Sequence, residues 1–279
     1  MRVITWNIHG ARKNSSVWDF LMDLQPDVAL LQEVGSSPEH FIKEFDGVCR
    51  PAIFKNGKPQ RFSTGVFVNG EVLEEVTFSS SLDWINHELD FFKGNLVSCR
   101  VQPINHPPIT VVSVYSPAWP INADRLEGVD VSQISTKISG EVWCADALWA
   151  GLQKSITDSE TWVVGGDFNS SETFDVEWQE KHDRVFGIRS SGNAKMLQRL
   201  CDLGLSECLR QSNSGTIVPT FRHSTGEIEH QIDHLFVSND FYSQLEKCTV
   251  GDQAIIFGKS LSDHLPIIAD FRPAACCPT

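Results

Sequence analysis

Apolar runs bordered by polar clusters constrain this chain more than any other feature. Segments 2–8, 28–32, 64–68, 95–102, 109–115, 161–166, 232–238 and 266–271 are rich in Val, Ile, Leu and Phe, and many are apolar at consecutive positions. Their length and composition predict strands. Consecutive apolarity predicts cover on both faces, because a strand with one wet face alternates. Short polar words stand at the ends of these runs: Trp6-Asn7-Ile8-His9-Gly10, Leu31-Gln32-Glu33-Val34, Gly165-Gly166-Asp167-Phe168-Asn169, Ile232-Asp233-His234-Leu235-Phe236 and Ser262-Asp263-His264-Leu265-Pro266. Amides, carboxylates and imidazoles have little reason to border buried strands unless something binds there.

Between these runs the period changes to that of a helix. Residues 16–25 place Val17, Phe20, Leu21 and Leu24 on one face, with Ser15 or Ser16 as N-cap and Pro26 closing the segment. Residues 141–154 align Val142, Ala145, Leu148 and Leu152, and residues 194–203 align Leu197, Leu200 and Leu203. Segments 117–140 and 170–194 are turn-rich and read as long loops, which are more often functional than not. No linker or low-complexity tract divides the chain, so motifs from both ends and the middle have to converge. The expectation is one α/β domain over residues 1–272, two packed sheets flanked by helices, with 273–279 as a flexible tail.

Composition sets limits. The chain has 279 residues, 41% hydrophobic and 21% charged, enough for a sizeable core. A net charge of −13 argues against coating nucleic acid by counterion release alone. It does not exclude a nuclease, since a bound divalent metal carries positive charge to the phosphate. The strand-like start leaves no room for a signal peptide, and no run has the length of a membrane span, so no membrane contact is expected. The eight cysteines show no zinc spacing and read as small buried hydrophobes of a reduced cytoplasmic protein.

The chemistry follows from residue types. Oxygen donors at strand ends suit a hard cation, which is usually held by one or two carboxylates; Glu33 is the carboxylate expected, with an amide oxygen from Asn7 nearby and Asp263 as an outer or second ligand. Asp167 and Asn169 stand two apart, so their side chains point the same way.

Trp6-Asn7, Gln32-Glu33, Tyr115-Ser116-Pro117, Gly166-Asp167-Phe168-Asn169, Ile232-Asp233 and Ser262-Asp263-His264 together resemble the endonuclease/exonuclease/phosphatase superfamily, in its order, over residues 3 to 271. The likeness is closest to the AP endonuclease and deoxyribonuclease-like branch. It implies a four-layered α/β sandwich and phosphate-ester cleavage that depends on Mg²⁺, with Mn²⁺ able to substitute. It implies that Asp167 orients or deprotonates the attacking water and that Asn169 donates to a non-bridging oxygen. It also pairs His264 with Asp233 and lays Tyr115 against the phosphate. Asp167 and the His264–Asp233 pair both remain open as water activators. His9 is a departure, since AP endonucleases commonly carry Asp two residues after the first Asn; this leaves metal stoichiometry and an AP-endonuclease assignment open.

Substrate contacts are expected from two basic islands, residues 50–62 with Arg61 and residues 181–199 with Arg189, and from Trp119. Segment 71–90 carries acids and no Lys or Arg, which predicts a far face or a partner surface. The function expected is a nuclease acting on nucleic acid. The alternatives are an enzyme for an inositol phosphate or phospholipid headgroup and, further off, a binding scaffold; protein partners stay open.

Overall fold

The computed structural model describes residues 1–137, 139–156, 160–182 and 192–272. Its strands are β1 (Arg2–Asn7), β2 (Val28–Val34), β3 (Asp46–Ile53), β4 (Pro59–Val68), β5 (Gly70–Glu75), β6 (Leu96–Pro103), β7 (Ile109–Tyr115), β8 (Trp162–Asp167), β9 (Leu205–Glu207), β10 (Asp233–Ser238), β11 (Leu245–Val250) and β12 (Ile267–Phe271). They form two six-stranded mixed sheets, ordered β11-β12-β1-β2-β4-β3 and β5-β6-β7-β8-β10-β9. β1 runs parallel to β2, and β7 parallel to β8; the other pairings are antiparallel.

The sheets pack face to face, and period-2 alternation sorts their side chains into layers. Val3, Val28, Leu30, Val111, Val163, Leu235 and Val237 fill the space between the sheets. Ile4, Trp6, Ala29 and Leu31 face the other way, onto Val17, Trp18 and Leu21 of helix Val17–Asp23. On the opposite outer face Val112, Val114, Trp162 and Val164 meet helices Asp83–Phe91, Cys144–Leu152 and Asn193–Asp202. Three apolar layers between four layers of structure explain why the interior strands are apolar at every position.

Alternation also decides what the strand ends present. Val3 and Val163 point between the sheets, so Asn7 and Asp167 on the same strands do so too, at the C-terminal ends of β1 and β8. β10 is antiparallel to β8 with Asp233 opposite Asp167, and β7 is parallel with Tyr115 opposite Asp167. Gly165 permits the close approach of the sheets. A Cβ there would lie 2.8 Å from Leu235 Cδ1 and 3.2 Å from Leu30 Cδ1. Gly166, at φ +152°, has the Val114 carbonyl where a Cβ would sit, 1.9 Å away.

Two expectations change. The segment expected as a loop over 170–194 contains helix Glu172–His182, whose large apolar side chains are few and leave no long amphipathic stripe in the sequence. The basic island at 50–62 and the acidic stretch at 71–90 partly neutralise each other, since Arg50 on β3, an edge of the first sheet, is ion-paired to Glu75 on β5, an edge of the second. Within the acidic stretch, buried Glu88 accepts from Arg125 Nε at 3.0 Å. Arg189 and the tail 273–279 lie outside the described residues. Among the described residues no helix is long and apolar enough to cross a membrane.

Candidate active site

The polar strand ends meet at one end of the sandwich. Asn7 Nδ2 on the first sheet donates to Asp167 Oδ2 on the second at 3.1 Å, and to Glu33 Oε1 at 3.3 Å. Asn7 Oδ1 accepts the His9 backbone N–H at 3.0 Å, which orients the amide so that its NH₂ faces the carboxylates. The oxygen expected to serve a metal therefore keeps one lone pair for it.

Glu33 reaches this place by leaving the strand pattern. Gln32 already points between the sheets, where its Nε2 donates to Ser113 Oγ at 3.0 Å, so alternation alone would send Glu33 to the helix side. Instead the β2–β4 register shifts between Leu31 and Val34, and Glu33 has φ +54°. This irregularity re-aims the carboxylate. His9 (φ +48°) and Asn169 (φ +46°) also occupy the left-handed region, so three non-glycine residues of one site hold a conformation that L side chains disfavour.

On the second sheet Asp167 is bracketed by Asn169, whose backbone N–H donates to Oδ1 at 2.9 Å and whose Nδ2 donates to Oδ2 at 3.2 Å. The same Nδ2 donates to Ser116 O at 2.8 Å. The Asn169 side-chain amide is thus engaged by both Asp167 and Ser116. Burial pushes the Asp167 carboxyl up; His264 draws it down, Asp233 pushes it up again, and the balance lies at about 7. Burial likewise raises Glu33.

Facing these is the His264–Asp233 pair, with Nδ1 at 2.9 Å from Oδ2 and 3.1 Å from Oδ1. Burial alone would lower the imidazole, but the Asp233 charge and hydrogen bond outweigh it, with smaller help from Asp167 and Asp263, and raise it to about 10. His264 is therefore an imidazolium at neutral pH. Its Nε2 side lies 4.0 Å from Asp263 Oδ1. Asp263 also stands 3.0 Å from His9 Nδ1, so the residue that departs from the family pattern contacts a proposed metal ligand directly. Tyr115 is half-buried against Phe62, rings 5.2 Å apart, and burial, then Glu33 and Asp167, hold its phenol protonated well above the ordinary range.

Thr220, Phe221 and Asn95 support the site and carried no recognisable sequence signal, whereas Ser262 and His234 stand within motifs already read. Thr220 Oγ1 accepts the Asp233 N–H at 3.1 Å, and Thr220 O accepts the Leu265 N–H at 2.7 Å. The Phe221 ring lies 4.9 Å from His264. Ser262 Oγ donates to Asn7 O at 2.7 Å and accepts the His264 N–H at 3.0 Å, joining the last motif to the first. Asn95 donates to Tyr115 O at 3.2 Å. His234 points away from Asp233, its Nε2 against Ser170 O at 2.9 Å.

Of the expected substrate contacts, Arg61 is exposed on β4 beside Phe62. Trp119 is half-buried, its ring 6.0 Å from Phe92 in the outer apolar layer.

The donor set suits a hard cation. Glu33, Asp167, Asp233 and Asp263 exceed the imidazoles beside them, and burial, with a smaller push from neighbouring acids, raises the Asp167 and Glu33 carboxyls, a cost that a bound cation would offset. Among the described residues the one trio of His, Cys, Asp or Glu with ligand atoms all within 4.8 Å is Glu177, Glu229 and His230. The strand-end acids are spaced more widely, as a cation that keeps several waters permits.

Fold and strand-end chemistry together define a phosphoester hydrolase. The model of the Endonuclease/Exonuclease/phosphatase family matches residues 4–264, and the chain belongs to that family. The chain matches no curated protein in sequence. Solved structures share the fold. An AP endonuclease from Archaeoglobus fulgidus superposes with a TM-score of 0.69 at 17% identity, over 97% of this chain and 99% of that one. The 3′ phosphatase NExo from Neisseria bound to product DNA hairpin gives 0.66 at 21% identity, over 98% and 99%. The AP endonuclease LMAP from Leishmania major gives 0.62 at 18%, over 97% and 87%.

Proposed function

We propose that the chain is a Mg²⁺-dependent nuclease that hydrolyses phosphodiester bonds of nucleic acid by in-line attack of water. The observation that carries this reading is the convergence, at the junction of the two sheets, of the buried Asp167 carboxylate, held by Asn7 and Asn169, and the buried His264 imidazole, held by Asp233 at 2.9 Å. One group can take a proton from water while the other neutralises charge accumulating on phosphorus oxygens. Support for nucleic acid comes from the structural neighbours, two AP endonucleases and a phosphatase bound to a product DNA hairpin.

In this reading Asp167 orients and deprotonates the water, and Asn169 holds Asp167 by two hydrogen bonds. His264, fixed by Asp233, donates from Nε2 to a non-bridging oxygen, and the neutral Tyr115 phenol donates to another. Glu33, Asp263 and the remaining lone pair of Asn7 Oδ1 would hold the metal, which supplies Lewis-acid stabilisation of the phosphate and its leaving oxygen. Exposed Arg61 contacts the backbone of the polymer.

End-labelled DNA and RNA, single- and double-stranded, incubated with Mg²⁺ or EDTA, test this reading beside Asp167→Asn. Mg²⁺-dependent cleavage that falls by about 10³-fold or more in the variant is expected. Absence of cleavage on every polymer, with turnover of an inositol phosphate or a phospholipid headgroup, would replace it.

A further inference from the structure

A cleft of about 550 Å³ adjoins Asn169, walled by Trp143, Phe174, Trp178, Lys137 and Asn193. Helix Glu172–His182 supplies Phe174 and Trp178 four residues apart, so both lie on one face of it. The other wall precedes helix Cys144–Leu152: Lys137 Nζ lies 5.2 Å from the Trp143 ring centroid and donates to Asn193 Oδ1 at 2.5 Å. Asn193 is itself fixed by Asp175, which accepts from its backbone N–H at 3.1 Å and from Nδ2 at 2.6 Å. The lysine is thus held in place at the wall of an aromatic cleft, in a chain of net charge −13.

This combination selects among ligands of a phosphoesterase. An acyl chain has no use for a fixed ammonium group. An inositol ring carrying several phosphates needs several cations, and Glu141 on the same wall opposes it. A nucleobase satisfies every element: its faces stack on indole and phenyl rings, and its edge offers a carbonyl or ring nitrogen to Lys137. The volume falls within the range that encloses a small organic ligand.

We propose that this cleft binds the base of the nucleotide whose phosphate lies at Asn169. The proposal rests on the nuclease reading and deepens it: a base seated there is unstacked and unpaired, so the enzyme acts at single-stranded or frayed nucleotides in preference to intact duplex. Trp178 and Trp143 supply the stacking surface, and Lys137 reads an acceptor edge.

Isothermal titration in EDTA measures the pocket without catalysis. Wild type should bind nucleoside 5′-monophosphates at least about fivefold more tightly than ribose 5-phosphate, the lower end of what one base stacked on an aromatic ring contributes. Trp178→Ala and Lys137→Met should each erase most of that ratio, with circular dichroism confirming that both fold. In Mg²⁺, kcat/KM on a single-stranded oligonucleotide should exceed that on the same strand built of tetrahydrofuran abasic units, and the ratio should approach one in Trp178→Ala. Equal binding of the two phosphates by wild type, or an unchanged ratio in both variants, overturns the pocket. Base-selective binding without cleavage of any strand supports the pocket and counts against the nuclease reading alone.

Discussion

Asn7 Nδ2 bridges the two sheets, donating at 3.1 Å to Asp167 and at 3.3 Å to Glu33. One amide therefore sets the distance between the expected metal ligand and the expected water activator. Its orientation is fixed by the His9 N–H on its oxygen. Asn7→Ala should lower kcat by about 10²-fold or more, a loss of the size seen when a preorganised polar group is removed from a site. It should also raise the Mg²⁺ concentration for half-maximal rate, because Glu33 loses its orienting donor. Wild-type kcat in the variant would mean that the amide only fills space.

The His264–Asp233 pair makes stability depend on pH in a defined window. His264 is raised to about 10 from 6.5, so its proton stabilises the fold fully below pH 6.5, and that contribution is lost as pH rises through 10. Asp167, raised to about 7, likewise contributes at low pH and is lost by pH 7, so the alkaline window isolates the histidine from it. Asp233→Asn leaves a buried imidazole without its counter-charge, which costs about 3–5 kcal/mol when a buried pair is broken. Denaturant melts in EDTA should show that gap at its full size at about pH 6.5 and narrowing as pH rises from there toward 10. Parallel curves for the two proteins would show that the pair carries no net proton linkage.

The interior of the fold was legible and its margins were not. Every apolar run in the sequence corresponds to an interior strand, while β3, β5, β9 and β11, the four sheet edges, were not anticipated. Edge strands lack a neighbour on one side and are short or largely wet here: β5 is exposed at most of its positions, β9 has three residues, and β3 contains Pro51. At the site, Asn7, Asp167 and Asp233 follow from period 2 and the burial of their strands. Glu33 does not, because its direction is set by a bulge and a left-handed backbone. Thr220 acts through one hydroxyl and one carbonyl, which leave no signature in a sequence.

His9 stands 3.0 Å from Asp263, at the position where the resemblance to AP endonucleases predicts Asp. The imidazole occupies one Asp263 oxygen that a cation would otherwise use. His9→Asp frees that oxygen and adds negative charge beside it. The half-saturating Mg²⁺ concentration should fall by about tenfold, the scale on which outer-sphere partners tune metal affinity. His9→Ala, which only frees Asp263, should fall between the two. Identical metal titrations for all three proteins would remove Asp263 from the metal's surroundings.

Trp119 and Arg61 were both expected to touch substrate, and their placements separate them. Trp119 packs its ring 6.0 Å from Phe92, within the apolar layer outside the second sheet. Arg61 is exposed on the strand whose next residue, Phe62, lies 5.2 Å from Tyr115. Truncating Trp119 removes half-buried aromatic surface, which at roughly 25 cal/mol per Å² destabilises by about 2 kcal/mol. Trp119→Ala should therefore lower Tm by several degrees and leave KM for nucleic acid unchanged. Arg61→Ala should leave Tm unchanged, raise KM, and reduce the salt slope of binding by about one phosphate contact. The two effects sit on different axes, so one panel of melts and salt titrations reads both. A raised KM with unaltered Tm for Trp119→Ala would instead make the indole a substrate contact, reached by a movement away from Phe92.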